Sequence, residues 1–295
     1  MISGIIRTAR PKQWLKNVLV FAAPGAAGVH NQGRPFSLTL LAFVSFCLAS
    51  AGVYILNDLI DVEADRMHPK KRFRPIAAGD VALNVARATC VAFPIAALGV
   101  AALTGRWQTA AIVGVYLVVN IAYNLGLKRI PVVDLVAVAS GFVLRAAAGA
   151  VAVDVPMSRW FILCITFGSL FIVVGKRYAE LNEMGKGAGT RATLDAYSVG
   201  YLRILLSVSS GAALLSYCVW AFETSEVGPS TSGSSFDFPF YELSIVPMLT
   251  ALFRYLLVLE QGGGGAPEEV FANDRVLQLL GLAWILIYGV AVYTA

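Results

Sequence analysis

Residues 54–75 read YILNDLIDVEADRMHPKKRFRP: an apolar run gives way to four acids, Asp58, Asp61, Glu63 and Asp65, and then to Lys70, Lys71, Arg72 and Arg74. Tyr54, Asn57, Asp58, Asp61 and Asp65 recur at spacings of three and four, which on a helix stacks their side chains on one face. The stretch predicts a helix whose last turns carry an acidic stripe, followed by a basic loop. An Asn amide oxygen and clustered carboxylates are hard ligands suited to Mg²⁺, which takes one or two carboxylates and completes its shell with phosphate oxygens and water. Two of the four following cations are arginines, able to grip phosphate bidentately. A solvated helix end with ion pairs to the basic run is the plainer alternative. Acids for a metal and bases for a diphosphate is the reading that uses every residue.

The surrounding chain sets the class. It has 295 residues, 58% of them hydrophobic and 14% charged, with a mean hydropathy of +0.71, outside the range of soluble domains. A hydrocarbon core of about 30 Å needs roughly 20 apolar residues per helix. Nine such runs are bounded by charge or by Gly and Pro, at about 13–29, 36–57, 83–104, 108–127, 131–153, 157–180, 200–222, 239–259 and 275–294. None alternates as an outer-membrane barrel strand does. The expectation is an all-α, polytopic membrane protein, one transmembrane domain over 1–295.

Positive charge orients it. With the N-terminus cytoplasmic, Arg7, Arg10, Lys12, Lys16, the 58–82 loop, Lys128, Arg129 and the 183–199 loop with Lys186 and Arg191 face the cytoplasm, while Arg34, Arg106 and Arg159 lie outside. Segment 223–238 has no Lys or Arg, as expected of an external loop, and nine spans put the C-terminus outside. The localisation this implies is a cell membrane, inner or plasma. The first basic-then-apolar stretch is expected to be retained rather than cleaved as a signal peptide.

Other features are quieter. Cys47, Cys90, Cys164 and Cys218 fall inside apolar runs without paired spacing, so neither a zinc site nor a disulfide frame is indicated. His30 and His68 stand apart from each other. The glycine-rich stretches GKGAGT (185–190) and GGGG (262–265) lack the Gly-Lys-Ser/Thr ending and preceding strand of a nucleotide loop and read as linkers. Arg145 lies mid-helix in GFVLRAAAGA, where a charge is costly unless it faces a cavity or a partner such as Glu180 or an acid of the first motif. No nucleic-acid partner is expected, and the oligomeric state is open, a homo-oligomer included.

NDLIDVEAD at Asn57–Asp65 resembles the Asn-Asp-x-x-Asp-x-x-x-Asp motif of the UbiA-type intramembrane prenyltransferase superfamily, and the span count is similar as well. The resemblance implies a nine-helix bundle around a central cavity, with the two longest cytoplasmic loops capping its polar end. Most members carry a second Asp-x-x-x-Asp cluster after the sixth helix, where this chain reads GKRYAELNE with Asn182 and Lys186 at the corresponding places. That departure puts a second metal in doubt and suggests direct cationic contact with a singly phosphorylated lipid. RPKQWLKN (10–17), DRMHPKKRFRPIAAG (65–79) and FGSLFIVVGKRYAEL (167–181) are similar to one branch, the decaprenyl-phosphate phosphoribosyltransferases.

That branch implies transfer of a 5-phosphoribosyl group from phosphoribosyl pyrophosphate to a polyprenyl phosphate, with release of diphosphate, on the route to cell-wall arabinan. Asn57 and Asp61 are then the expected Mg²⁺ ligands. Asp58 and Asp65 either support the metal or orient ribose hydroxyls, so Asp58, Asp61 and Asp65 form the catalytic set. Lys16, Tyr54, Lys70, Lys71, Arg72 and Arg74 are candidates for the donor, and Lys128, Arg145, Lys176, Arg177 and Glu180 for the lipid side. A prenyltransferase acting on an aromatic acceptor, and a transporter or lipid-binding membrane protein, are the alternatives. The first expects a second acid cluster, and the second gives no reason for the acid-then-base stretch.

Overall fold

A computed structural model describes residues 2–29, 32–184, 193–227 and 238–294, and every regular element among them is helical. In chain order the α-helices are α1 (Ile2–Ala9), α2 (Ala22–Ala26), α3 (Gly33–Ile60), α4 (Val62–Met67), α5 (Leu83–Ala102), α6 (Trp107–Leu125), α7 (Val133–Val153), α8 (Arg159–Met184), α9 (Val199–Val227), α10 (Phe240–Leu243), α11 (Ile245–Glu260), α12 (Pro267–Asn273) and α13 (Arg275–Thr294). Among the described residues eight segments are long and apolar enough to span a membrane: α3, α5, α6, α7, α8, α9, α10 with α11, and α13. Helices are the only open-ended solution for such runs, because hydrocarbon offers no partner to an unpaired backbone N–H or C=O. This is a multi-pass membrane protein.

The remaining expected span, 13–29, takes another form. Pro11–Phe21 winds as a 3-10 helix and is followed by the five-residue α2, which contains Pro24. At about 2.0 Å per residue for the first and 1.5 Å for the second, the pair extends about 30 Å, the thickness of a hydrocarbon core. Lys186, Arg191, His30, GKGAGT and most of 223–238 lie outside the described residues.

The chain divides into two units. The first comprises Met1–Gly126 and Leu144–Pro156. Its core joins Val20, Phe46, Val53, Val113, Tyr116 and Ala148. Helix α3 lies against α5, and Gly52 is needed there, since a Cβ would come within 2.7 Å of the Pro94 ring. The Ser45 hydroxyl donates to the Ala97 carbonyl at 2.8 Å across the same pair of helices. In a bilayer such small-residue contacts and interhelical hydrogen bonds hold helices together.

The second unit comprises Leu127–Val143 and Met157–Ala295. Phe171, Tyr178, Leu202, Tyr255 and Leu259 lie in its core. At another level Tyr217, Trp220, Trp284 and Tyr288 form a ring cluster, in which the Trp284 indole N–H donates to the Tyr217 hydroxyl at 2.6 Å. The glycine run 262–265 is an ordered turn rather than a loose linker. Gly262 and Gly264 have φ of 86° and 100°, and a Cβ on Gly264 would meet Leu259 at 2.2 Å.

Candidate active site

The acidic stripe forms where α3 ends. Asp61 closes α3 and opens α4, yet the helical bonding runs on through it: the Asp61 amide donates to the Asn57 carbonyl at 3.0 Å and the Asp65 amide to the Asp61 carbonyl at 2.8 Å. Asn57, Asp61 and Asp65 therefore stack at successive turns. Asp58 and Asp65 are almost wholly buried, at 2% exposure each. Carboxylates in such places need cationic partners, and they have them. Arg74 donates to Asp65 at 2.6 Å and to Asp58 at 3.3 Å, and Arg10 donates to Asp58 at 2.5 Å while lying 5.1 Å over the Tyr54 ring.

These four side chains divide into two pairs. Asp58 and Asp65 are matched to arginines, while Asn57 and Asp61 are half-buried at the same helix end. An amide oxygen and one carboxylate are a donor set that fits Mg²⁺ sharing its shell with phosphate oxygens. Among the described residues no three His, Cys, Asp or Glu side chains gather as a metal cage. Lys71 is half-buried in a short 3-10 turn, and Lys70 and Arg72 are exposed, with Arg72 4.9 Å over the Phe73 ring. His68 shapes this turn, its Nδ1 accepting the Lys70 and Lys71 amides at 3.1 Å each.

Lys16 and Arg145 belong to the same unit. The Lys16 ammonium donates to the Gln13 side-chain oxygen. Arg145, 5% exposed, donates through Nε to the Asn17 side-chain oxygen at 2.7 Å and through Nη2 to the Tyr116 hydroxyl at 3.1 Å. Its guanidinium also sits 4.8 Å from the Tyr116 ring centre and 5.6 Å from that of Phe46.

The second unit holds the other candidates. Arg177, on α8, donates to Asp134 at 3.3 Å and to Glu180 at 3.1 Å. Asp134, in the first turn of α7 and 1% exposed, also accepts the Tyr197 hydroxyl at 2.6 Å and the Thr193 hydroxyl at 3.2 Å. The Tyr197 oxygen in turn accepts the Val132 amide at 2.6 Å. Val132 has φ of 68°, rare for a β-branched residue. Burial and the hydrogen bond to Asp134 push the Tyr197 hydroxyl pKa up. Lys128 and Lys176 are half-buried in this unit.

The sequence reading missed Arg10, Asn17, Asp134 and Tyr197. Asp134 had no local signal, because its partners lie 43, 59 and 63 residues away. Arg10 and Asn17 did carry one, a spacing of three over residues 10–20.

The UbiA prenyltransferase family profile matches residues 18–273. Decaprenyl-phosphate phosphoribosyltransferase of Corynebacterium glutamicum is 44% identical over 298 residues, covering 99% of this chain and 88% of that protein. The decaprenyl-phosphate phosphoribosyltransferase of Mycobacterium tuberculosis is 44% identical over 301 residues, covering 99% of this chain and 95% of that protein. A UbiA homolog from Archaeoglobus fulgidus, solved bound to GPP and Mg²⁺, shares the fold with a TM-score of 0.71 at 19% identity, covering 99% of this chain and 100% of that one. The acidic stripe, the helical fold and these likenesses agree: the chain belongs to the UbiA prenyltransferase family.

Proposed function

We propose that this protein transfers the 5-phosphoribosyl group of phosphoribosyl pyrophosphate to a polyprenyl phosphate, decaprenyl phosphate in particular, and releases diphosphate. The carrying observation is the 44% identity over 99% of the chain with relatives named for that activity. In the reaction an acceptor phosphate oxygen forms a bond to ribose C1 as the C1–O bond to diphosphate breaks, and the electron pair leaves with the diphosphate. Attack on the α-configured donor inverts C1. The acceptor is already anionic at neutral pH, so no side chain need remove its proton.

Asn57 and Asp61 would hold Mg²⁺, which when bound would supply positive charge for the leaving diphosphate. Asp58 and Asp65, neutralised by Arg10 and Arg74, set the helix end so that Asn57 and Asp61 keep their geometry. Lys70, Lys71 and Arg72 bind the donor's phosphates from the loop. Lys128 and Lys176 receive the lipid phosphate, and Arg177, with Asp134 and Glu180, supports that surface in place of a second metal. The enzyme sits in a cell membrane with its N-terminus and these loops cytoplasmic, its C-terminus outside, and its product feeds arabinan assembly in the wall.

The test incubates purified protein with phosphoribosyl pyrophosphate labelled in the ribose, Mg²⁺ and decaprenyl phosphate. A labelled lipid that disappears with EDTA is expected; label remaining wholly in the aqueous phase would refute the reading.

A further inference from the structure

A 3-10 helix has three residues per turn, so side chains three apart eclipse. In Pro11–Phe21 that rule makes three rows, two of which carry the polar contacts. Asn17 and Val20, both fully buried, lie on one. Arg10, which caps the helix, Gln13 and Lys16 lie on the other, and the Lys16 ammonium is bonded one turn back to Gln13.

The segment runs antiparallel along α3. Arg10 meets Tyr54 and Asp58, Asn17 donates to Cys47 Sγ at 3.3 Å and Ser50 Oγ at 3.4 Å, and Phe21 packs 5.8 Å from Phe43. Eleven residues at about 2.0 Å each cover about 22 Å, and the fifteen steps of α-helix from Phe43 to Asp58, at about 1.5 Å each, cover the same distance. The 3-10 winding is what keeps the two in register.

Both ends are fastened. At the far end Arg145 holds Asn17, and the Val20 carbonyl lies so close to Gly149 that a Cβ there would fall 1.7 Å from it. At the near end Arg10 has φ of 51° and ψ of 63°, a left-handed conformation that a residue with a side chain adopts only when its surroundings demand it. The demand comes from Asp58, which takes the Arg10 guanidinium at 2.5 Å.

We propose that Pro11–Phe21 is a fixed strap that positions the diphosphate end of the donor, with Arg10 and Gln13 as positioning residues: Arg10 holds Asp58, the neighbour of Asn57, and Gln13 holds the Lys16 ammonium one turn toward that end. This rests on the donor reading above. Arg10 contributes through Asp58 rather than by touching substrate, and Gln13 through the Lys16 ammonium.

The experiment measures binding of inorganic diphosphate with Mg²⁺ by calorimetry, beside the transfer assay, for wild type, Arg10→Gly, Gln13→Ala and Arg7→Ala. Glycine accepts the left-handed backbone, so Arg10→Gly removes the guanidinium without straining the chain. Arg10→Gly should weaken Mg-diphosphate binding and raise the donor KM tenfold or more while the lipid KM stays within twofold. Gln13→Ala should do the same by about threefold. Arg7→Ala, which removes only the exposed Arg7–Asp80 pair, should match wild type. Diphosphate binding by Arg10→Gly equal to wild type would overturn the proposal, as would an equal rise in both KM values. A wild type that binds Mg-diphosphate but transfers no phosphoribose, with binding lost in Arg10→Gly, would refute the donor reading and leave the strap's role standing.

Discussion

Arginine and lysine bring the same charge to this protein and do different work in it. Arg10, Arg74, Arg145 and Arg177 are held by side chains of the protein, in hydrogen bonds that use the planar, weakly hydrated guanidinium fork. The proposed phosphate contacts are mostly lysines, compact and strongly hydrated, with Arg72 beside them. Arg74→Lys is therefore expected to behave as a structural lesion, lowering the thermal midpoint because the shorter lysine must bring its ammonium to where Arg74 Nη1 now meets both Asp58 and Asp65, whereas Lys71→Ala should raise the donor KM with the midpoint unchanged. The acids divide in the same way. Asp61→Ala should abolish transfer in a protein that still folds, while Asp58→Ala, which leaves Arg10 without its buried partner and Arg74 with Asp65 alone, should cost about 3 kcal/mol of stability. Thermal melts in detergent beside the transfer assay check both pairs, and a stable, inactive Asp58→Ala would reverse the assignment.

Among the elements, the start of α13 gives a clean test. Asp274 accepts the Leu277 amide at 2.9 Å, capping the helix, and accepts Arg254 at 2.9 Å. The Arg254 guanidinium, then the Leu277 amide, hold its carboxyl below the usual carboxylate range. A lowered folded pKa contributes stability above the unfolded value of about 3.9, and that contribution is lost as pH falls through the folded pKa. Asp274→Asn should flatten the acid-side fall in thermal midpoint below about pH 4, and Asp274→Ala should lower the midpoint at neutral pH as a lost cap. Charge or Gly/Pro bounds the runs that became α5 and α13, whereas α3 runs from Gly33 to Ile60, past the expected 36–57 and through Arg34 and Asp58. Residues 13–29 were legible as an apolar run but not in winding. Apolar content reports burial, and only the spacing of Asn17 and Val20 against Gln13 and Lys16 reports three residues per turn. Gly149 adds a test of that packing: Gly149→Ala has nowhere to put its methyl group and should displace the strap, costing about 1–3 kcal/mol by overpacking.

At the scale of the whole molecule, two separate units each gather buried charge, one around Asp58 and the other around Asp134. The first cluster was readable because its acids and bases are neighbours in sequence and stack by helical spacing. Asp134 was not, since folding alone brings it to Arg177, Thr193 and Tyr197. The reaction proposed here and prenyl transfer differ in the bond that breaks. A prenyltransferase breaks the allylic C–O bond of a lipid diphosphate, whereas the reaction proposed here leaves the lipid's bond intact and uses its phosphate as nucleophile. The decisive measurement places ³²P on decaprenyl phosphate and supplies unlabelled phosphoribosyl pyrophosphate and Mg²⁺. The account predicts that the label is retained in a new, more polar β-linked phosphoribosyl lipid, and that polyprenyl diphosphate with 4-hydroxybenzoate yields nothing. Prenylation of the aromatic acid, with phosphoribosyl pyrophosphate ignored, would contradict it and turn the acidic stripe into a prenyl-diphosphate site.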